Sequence, residues 1–516
     1  MLWKLEDWQY PCYNINNGRC KALLKWNNSK NIIYEETTNN IIPILSFKRP
    51  HSRAFILSII LIILIFITQF HLISFKFIKS SYYNEISNDI IRAEVRYTII
   101  YLYIGSTISR AIFGYIADRI GIRISYCILI LLSVLFGILN ISFDNPILKI
   151  LNGIISGGFV LSELWVITMF DTNILGITTG ILGGVGNFGI GIIYIINYTI
   201  ISSIDEKLLK YYIYWPYILL LLTIYPIYYL SDDCPYGNYI ELKKLYNERN
   251  NIDNIDNIDN IDNIDNIDNI DNIDNIDNID NIDNIDNIDN TIYSNGNTNY
   301  SLDNNINIEN IVIDISFSKS KCLTILKNIK LLAICLTYLY SFGIELTIYS
   351  NLPILLKIED NISLNKKILL LFAFSSINLL GRPIGGYISD KNYERFKIIG
   401  KIKLILKFIT STVLCGLILN NFMQSLNDND DKYSQLLILI ILWSFSNNLL
   451  QGTIIGIIPH MDSSNLGVIL GLIASFGSVG GIIGNIIFMY YDDHTSLKII
   501  NTCGVITFMI NTFVLL

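Results

Sequence analysis

The chain has 516 residues, of which 52% are hydrophobic and 16% are charged, and its mean hydropathy is +0.44. Soluble domains carry about 25% charged residues, so this composition excludes an ordinary soluble protein and indicates that most of the chain lies in a lipid bilayer. The net charge of −7 comes from residues 252–290, thirteen copies of Ile-Asp-Asn, and it would be +6 without their aspartates.

The chain begins with a mostly polar segment, 1–53, in which no cleavable signal sequence is found. Twelve apolar runs follow, six on each side of a polar insert, and each is long enough to cross a bilayer as a helix. Numbered in chain order, these predicted spans lie near 54–76, 97–117, 124–143, 148–170, 174–203, 211–231, 324–352, 367–388, 399–420, 433–456, 464–490 and 497–516. The chain ends at Leu516, within the twelfth predicted span.

These runs predict an all-α membrane protein with 12 transmembrane helices in two six-helix bundles, 54–231 and 321–516. Residues 232–320 join the bundles and contain the Ile-Asp-Asn tract, whose three-residue period fits neither a helix nor a strand. One aspartate in every three residues repels its neighbours. The linker is therefore predicted to be disordered and solvated rather than a binding segment.

Lysine and arginine are concentrated in the N-terminal segment and after the eighth span, where six basic residues lie between Lys391 and Lys407. The loops at 428–431 and 492–493 are acidic. Because basic loops stay in the cytosol, we expect both termini and the linker to face it. No address motif identifies the membrane; we expect the plasma membrane, with an organelle membrane as the alternative.

Two arginines occupy matching positions inside apolar runs, Arg110 in the second span and Arg382 in the eighth. Each precedes an aspartate, Asp118 or Asp390, by eight residues, which places its Cα about 12 Å deeper in the membrane and near the middle of a 30 Å core. A buried arginine costs roughly 2.5–3.5 kcal/mol even on lenient scales. The pair predicts an anion site between two repeats, because arginine stays charged and offers planar paired donors to an oxyanion.

The alternative is that each arginine pairs with a buried carboxylate for structural reasons, and Glu163 in the fourth span and Glu345 in the seventh are the candidates. Asn187 is a further candidate site residue, since it lies in a glycine-rich, apolar fifth span. The glycines there are explained by close helix crossing. The amide of Asn187 needs a polar partner, which a bound substrate would supply.

A charged loop follows the second span and is echoed after the eighth. The first copy, GYIADRIGIR, matches every position of the G-x-x-x-D-R-x-G-x-R loop of the major facilitator superfamily, and the second, GYISDK, keeps the first half. This resemblance implies a gating role, holding the cytosolic helix ends together, rather than substrate binding; a chance charged turn is the alternative. The gating residues are Gly114, Asp118, Arg119, Gly121, Arg123, Gly386, Asp390 and Lys391.

Seven further segments together resemble the nitrate/nitrite porter family of that superfamily, in particular its plant, algal and fungal nitrate transporters. They are FKRPHSRAF (47–55), GSTISR (105–110), WVITMF (165–170), GVGNFG (184–189), FGIELT (342–347), NLLGRPIGG (378–386) and QGTIIGIIP (451–459). Two positions depart from the family pattern. Ser478, in FGSVG (476–480), replaces an asparagine, and Glu163 replaces a glutamine.

The resemblance implies a major-facilitator-type fold and a secondary active transporter that moves nitrate or nitrite by alternating access. Plant-type relatives couple uptake to protons, so Glu163 or Glu345 is expected either to titrate or to serve as the arginines' counter-ion. Tyr340 and Phe342 of the seventh span are expected to flank the anion as aromatic walls. The alternative is that they only pack, as aromatic side chains in membrane spans often do. The substrate-binding residues that the resemblance implies are Arg110, Arg382, Asn187, Ser478, Tyr340 and Phe342.

The same sequence features have alternative functional interpretations. A major-facilitator carrier of another small solute, such as an organic anion or amino acid, is the main alternative, and a solute sensor that does not transport is another. An enzyme is disfavoured because the sequence shows no nucleophile–base pair, metal cluster or phosphate loop. The expected partners are a small inorganic anion, protons and the lipid bilayer; we expect no nucleic acid, metal or cofactor.

Overall fold

The computed structural model of the protein describes residues 50–83, 88–143, 145–170, 174–233, 328–355, 364–424, 431–460 and 466–515. Every regular element in these ranges is a helix, which confirms the all-α prediction. Most of the predicted N-terminal segment and of the linker, including the Ile-Asp-Asn tract, lie outside the described residues.

In the N-terminal half, the helices follow the predicted spans closely. Span 4 consists of two helices joined by a 3-10 turn, and span 6 consists of three short helices. Spans 1, 2, 3 and 5 are Pro50–Tyr83, Asn88–Ile120, Ile122–Ser142 and Leu175–Ser203; span 4 is Pro146–Asn152, Gly153–Ser156 and Gly157–Met169; span 6 is Glu206–Tyr212, Trp215–Leu222 and Ile224–Tyr229.

In the C-terminal half, four spans are single helices, and two further helices lie between the first and the second of these spans. Spans 7, 10, 11 and 12 are Ile329–Leu355, Asp431–Ile455, Leu466–Tyr490 and Asp493–Leu515, and a short 3-10 helix, Ile458–His460, follows span 10. Between spans 7 and 10 lie the helices Leu364–Ser376 and Asn378–Gln424.

The apolar stretch Leu364–Phe422 has 59 residues and is much longer than one crossing needs. At 1.5 Å per residue it would extend about 88 Å, nearly three times the thickness of a bilayer core. Lys397 interrupts it with non-helical backbone angles, φ 54° and ψ −145°. Span 8 therefore precedes Lys397 and span 9 follows it, so the eleven apolar stretches of the described residues hold twelve spans.

Local sequence explains where several helices begin and end. Gly121 separates spans 2 and 3 with φ 87° and ψ 161°, a backbone conformation that is essentially restricted to glycine. The side chain of Asn145 accepts a hydrogen bond from Ile147 N and so caps span 4. Span 6 is divided because Pro216 and Pro226 cannot donate backbone hydrogen bonds within a continuous helix.

Two matching crossings connect the N-terminal and C-terminal halves. Spans 2 and 11 approach so closely at Gly114 and Gly467 that a Cβ atom on Gly114 would overlap the carbonyl group of Gly467. Spans 8 and 5 meet in the same way at Gly386 and Gly176. Both crossings lie near the helix ends that carry Asp118 and Asp390, which we call the loop end of the protein.

The first two residues of the predicted linker belong to the helical body at the loop end. Asp232 pairs with Arg53 of span 1 at 3.2 Å, and its carbonyl oxygen accepts from Trp165 Nε1 of span 4 at 2.8 Å. Asp233 accepts from the backbone N–H of Arg123 at the start of span 3, at 2.8 Å. Burial raises the pKa of the Asp232 carboxyl, and Arg123 and Arg53 act in the opposite direction. These contacts hold the loop end of spans 1, 3 and 4 together.

Candidate anion site

Arg110 lies inside the protein in span 2, with 1% of its surface exposed. Its Nη1 donates to the carbonyl oxygen of Ala474 in span 11 at 3.0 Å. Its guanidinium carbon is 5.2 Å from the ring centre of Phe159 and 5.0 Å from that of Phe342. The positive charge therefore forms cation–π interactions with two aromatic rings. Among the described residues, no carboxylate forms an ion pair with Arg110.

Arg382, at the matching position of span 8, has a carboxylate partner. Its Nη2 is 2.8 Å from Oε2 of Glu345 in span 7, and neither side chain is exposed. Nε donates to Oδ1 of Asn448 at 3.2 Å, and Nη2 also donates to the amide oxygen of Gln451, both in span 10. The alternative role considered for the arginines, pairing with a buried carboxylate, therefore describes the contacts of Arg382 but not those of Arg110.

Phe342 in span 7 lies beside both arginines. The guanidinium carbon of Arg382 is 5.7 Å from its ring centre, and that of Arg110 is 5.0 Å away. The two guanidinium carbons are thus no more than about 11 Å apart. Tyr338, one helical turn earlier, stacks on Phe342 with ring centres 5.2 Å apart. Two arginines from different halves of the chain therefore converge on one aromatic residue.

Glu345 is fixed by hydrogen bonds on both carboxylate oxygens. Oε2 accepts from Arg382, while Oε1 accepts from Asn187 Nδ2 of span 5 at 3.0 Å and from the hydroxyl of Tyr349 at 2.9 Å. Asn378 of span 8 extends this network: its Oδ1 accepts from Asn187 at 3.3 Å, and its Nδ2 donates to the Tyr349 hydroxyl at 3.0 Å. The predicted need of Asn187 for a polar partner is met in this structure by these two side chains.

Glu163 in span 4 has a different environment. It is fully buried, and neither carboxylate oxygen has a hydrogen-bond partner. Gly183 of span 5 lies between it and Arg382: a Cβ atom on Gly183 would be 2.6 Å from Arg382 Nη1 and 3.1 Å from Glu163 Oε1. The two polar atoms are therefore within about 6 Å of each other without forming an ion pair.

Several buried polar atoms around Phe342 lack a hydrogen-bond partner. Almost all buried polar groups in folded proteins are paired, so a concentration of unpaired ones in one region indicates a site for a polar ligand. Both donors and acceptors are present. The atoms are Arg110 Nε, Arg382 Nη1, both carboxylate oxygens of Glu163, Asn187 Oδ1, Ser478 Oγ and the hydroxyl of Tyr338.

The predicted site residues fall into two groups. Arg110, Arg382, Phe342, Asn187, Glu163 and Glu345 lie around the region just described, and Ser478 is one turn beyond Ala474, the residue that binds Arg110. Tyr340 lies elsewhere. Its hydroxyl is directed at Gly504 of span 12, where a Cβ atom would be 2.5 Å from the Tyr340 Cζ, and this environment fits the packing alternative.

Three residues near the arginines were absent from the predicted binding set: Tyr338, Asn448 and Gln451. Helical spacing was a signal for each of them. Tyr338 precedes Phe342 by four residues and so shares its face of span 7, whereas Tyr340 is two residues away and lies about 200° around the helix. Asn448 and Gln451 are three residues apart in span 10 and so lie on one face of it.

The two loop aspartates bind the ends of helices in the opposite half. Asp118 accepts from the backbone N–H groups of Gly467 and Val468, at 3.0 and 2.9 Å, and so caps span 11. Asp390 accepts from those of Gly176 and Ile177, at 3.1 and 3.0 Å, and caps span 5. A carboxylate at a helix N-terminus is favoured both by these hydrogen bonds and by the helix dipole.

The remaining loop residues take other roles. The guanidinium carbon of Arg119 is 4.6 Å from the ring centre of Tyr115, and Arg123 Nε donates to the carbonyl oxygen of Ile227 at 3.2 Å. Lys391 forms an exposed ion pair with Glu394 at 3.2 Å. Lys401, which is buried, contacts Asp390 at 3.4 Å.

Contacts between the two halves also occur on the other side of the arginines, which we call the opposite end. Nε of Arg96 in span 2 donates to Oδ1 of Asn351 in span 7 at 3.0 Å. Closer to Arg110 along span 2, the hydroxyl of Tyr103 lies 3.2 Å from that of Ser350 in span 7. The region around Phe342 is therefore enclosed by contacts between the halves at both ends.

Taken together, the twelve apolar spans and the enclosed charged region between two halves define a multi-pass membrane transporter rather than an enzyme. The family model of the Major Facilitator Superfamily matches residues 52–485, and the chain belongs to this superfamily. The proton:xylose symporter XylE from E. coli has a similar fold, with a TM-score of 0.62 and 14% sequence identity over 89% of this chain and 94% of that one.

Relatives found by sequence are nitrate transporters. The chain is 23% identical to the high affinity nitrate transporter 2.7 of Arabidopsis thaliana over 485 residues, which are 90% of this chain and 83% of that protein. It is 21% identical to the high-affinity nitrate transporter 2.3 of Oryza sativa subsp. japonica, over 76% of this chain and 65% of that one. These matches confirm the family resemblance seen in the sequence.

Proposed function

We propose that this protein is a secondary active transporter that moves nitrate or nitrite across a membrane by alternating access. The observation that carries the proposal is the convergence of Arg110 and Arg382 on Phe342, with an unpartnered nitrogen on each guanidinium. The nitrate transporters among its relatives support the choice of anion.

The chemistry of the region suits a small planar oxyanion. Each guanidinium offers N–H donors in one plane, which match the trigonal oxygens of nitrate, and Ser478 and Tyr338 offer hydroxyl groups nearby. Phe342 and Phe159 keep water away from Arg110, and this strengthens the attraction between its charge and an anion. An anion held between spans 2, 7 and 8 would contact both halves of the chain, as alternating access requires.

In this proposal, the two six-helix bundles, 54–231 and 321–516, rock about the anion. The loop end closes through the aspartate caps on spans 5 and 11, and the opposite end closes through Arg96 and Tyr103. The basic flanks favour a cytosolic loop end, with both termini in the cytosol, and a plasma-membrane location.

Arginine-to-lysine variants test the anion site. Arg110→Lys and Arg382→Lys keep the positive charge but lose the planar paired donors, so each is expected to abolish nitrate uptake into proteoliposomes. Arg395→Lys, on the exposed surface, is the matched control and should transport at the wild-type rate. Undiminished uptake by both buried variants would contradict the proposal.

The same proteoliposomes distinguish the other candidate functions. Unlabelled nitrate and nitrite should compete with labelled nitrate, whereas carboxylates and amino acids should not. Thermal stabilisation of the purified protein by nitrate, without any flux, would instead indicate a sensor. Stronger competition by an organic anion than by nitrate would favour a carrier of that solute class.

A further inference from the structure

The two buried glutamates of the site differ in their hydrogen bonds. Glu345 accepts three, from Arg382, Asn187 and Tyr349, and is in contact with a positive charge. Hydrogen bonds between an arginine and a carboxylate are shorter and stronger than those between neutral groups. Glu345 is therefore a permanent counter-ion for Arg382.

Glu163 accepts no hydrogen bond although it is fully buried. It lies beside Gly183, across from Nη1 of Arg382, and is not fixed by any neighbour among the described residues. Burial of an ionised carboxylate is costly unless a positive charge compensates for it. Whether Glu163 is ionised or protonated therefore depends on the net charge of the groups around it.

The charge balance of the enclosed region depends on whether an anion is bound. Arg110 and Arg382 supply two positive charges, and Glu345 supplies one permanent negative charge. Without an anion, an ionised Glu163 makes the region neutral. With a monovalent anion present, the region is neutral only if Glu163 is protonated. In a medium of low dielectric constant, the two neutral states are strongly favoured over the charged ones.

We propose that Glu163 is the proton-binding group of this site and that one proton enters with each monovalent anion, while Glu345 stays ionised. The proton comes from water, binds one carboxylate oxygen of Glu163 and leaves again with the anion, so no covalent bond of the anion changes. This inference rests on the anion transport proposed above and specifies which side chain couples it to protons.

The other titratable groups that face Glu163 do not compete for this role. Arg382 of span 8 is a charged group that acts on it across Gly183, and Tyr126 of span 3 and Tyr338 of span 7 are tyrosines that interact electrostatically with it. Arginine and tyrosine keep one protonation state near neutral pH. On span 5, Gly183 lies beside the carboxyl group of Glu163.

Binding of nitrate to the purified full-length protein, measured as a function of pH, tests the assignment. For the wild type, the nitrate affinity should fall about tenfold for each pH unit above the titration of Glu163 in the empty site, because binding and protonation are linked. In that same pH range, about one proton should be taken up per nitrate bound, as measured with an indicator in weakly buffered solution.

Glu163→Gln should remove both effects, since glutamine supplies the neutral side chain at every pH. Its nitrate affinity should be independent of pH, with no proton uptake. In proteoliposomes it should exchange internal for external nitrate but fail to accumulate nitrate in response to a proton gradient. Glu206→Gln, on the exposed surface of span 6, is the matched control and should behave as the wild type.

The outcomes separate the two proposals. If Glu163→Gln shows the same pH dependence and proton uptake as the wild type, Glu163 is not the proton-binding group, while the anion-transport proposal stands. If neither protein binds nitrate or nitrite at any pH at which it is folded, both proposals are overturned.

Infrared spectroscopy covers the case in which Glu163→Gln does not fold. Nitrate added to the wild type above the titration of Glu163 should produce the C=O stretching band of a protonated carboxylic acid. Glu163→Asp keeps the acid but changes its surroundings, so the band should shift. The absence of the band, or a band that does not shift in Glu163→Asp, would overturn the assignment.

Discussion

At the scale of single residues, the site shows how surroundings separate chemically identical side chains. Arg110 and Arg382 hold matching positions, yet Arg382 has a carboxylate partner and Arg110 lies between two aromatic rings. Glu345 and Glu163 are equally buried, yet only Glu345 accepts hydrogen bonds. Among the described residues, the region thus combines one ion pair with one arginine and one carboxyl group that form no ion pair.

Replacing Glu345 should be much more destabilising than replacing Glu163. Glu345→Gln leaves the charge of Arg382 buried without a counter-ion, which costs about 3–5 kcal/mol. The free energy of unfolding of the purified protein measures this loss, and Glu163→Gln is the matched control with a smaller change. Removing both charges, in Glu345→Gln with Arg382→Met, should restore part of the stability. Equal stability of the two glutamine variants would contradict the ion-pair assignment.

At the scale of helices, the same arrangement occurs twice at the loop end. An aspartate at the end of span 2 caps span 11, and one at the end of span 8 caps span 5. Each cap lies beside a crossing of two glycines, which brings the aspartate within reach of the backbone N–H groups. The repeated loop motif is thus a pair of connections between the halves, and the proposed gate would open by breaking them.

Removing one cap should expose the amides that it binds. Asp118→Ala deletes the acceptor for the N–H groups of Gly467 and Val468, and loss of a cap costs about 1 kcal/mol. We expect hydrogen exchange at these two amides to become about fivefold faster.

The second cap is an internal control for that experiment. In Asp118→Ala, exchange at Gly176 and Ile177, which Asp390 caps, should be unchanged, and Asp390→Ala should give the reverse pattern. Exchange that rises equally at both helix starts in either variant would show that the caps are not separate connections.

At the scale of the whole molecule, the two halves are in contact on both sides of the arginines. The loop end is held by the aspartate caps and the opposite end by Arg96 and Tyr103. A transporter must break one of these sets while keeping the other, so that the site opens to one side at a time. The contacts at the opposite end involve fewer backbone groups than the caps at the loop end.

The Ile-Asp-Asn tract is expected to be dispensable for transport. Deletion of 252–290 removes thirteen negative charges but none of the residues that form the spans, so nitrate uptake per molecule should equal that of the full chain. Uptake into proteoliposomes at matched protein amounts measures this. A large loss of uptake would mean that the tract takes part in transport.

The sequence by itself determined the twelve spans, the matching positions of the two arginines and the loop motif. These follow from local rules: a chain in a bilayer must satisfy its backbone within helices, and the length of an apolar run sets each crossing. The tertiary structure alone decided that Glu345 pairs with Arg382 and that Glu163 has no partner. It also placed the face of span 7 that carries Tyr338 and Phe342 against the two arginines. Hydropathy does not encode these choices, because the rotation of a buried span is set by packing against helices of both halves.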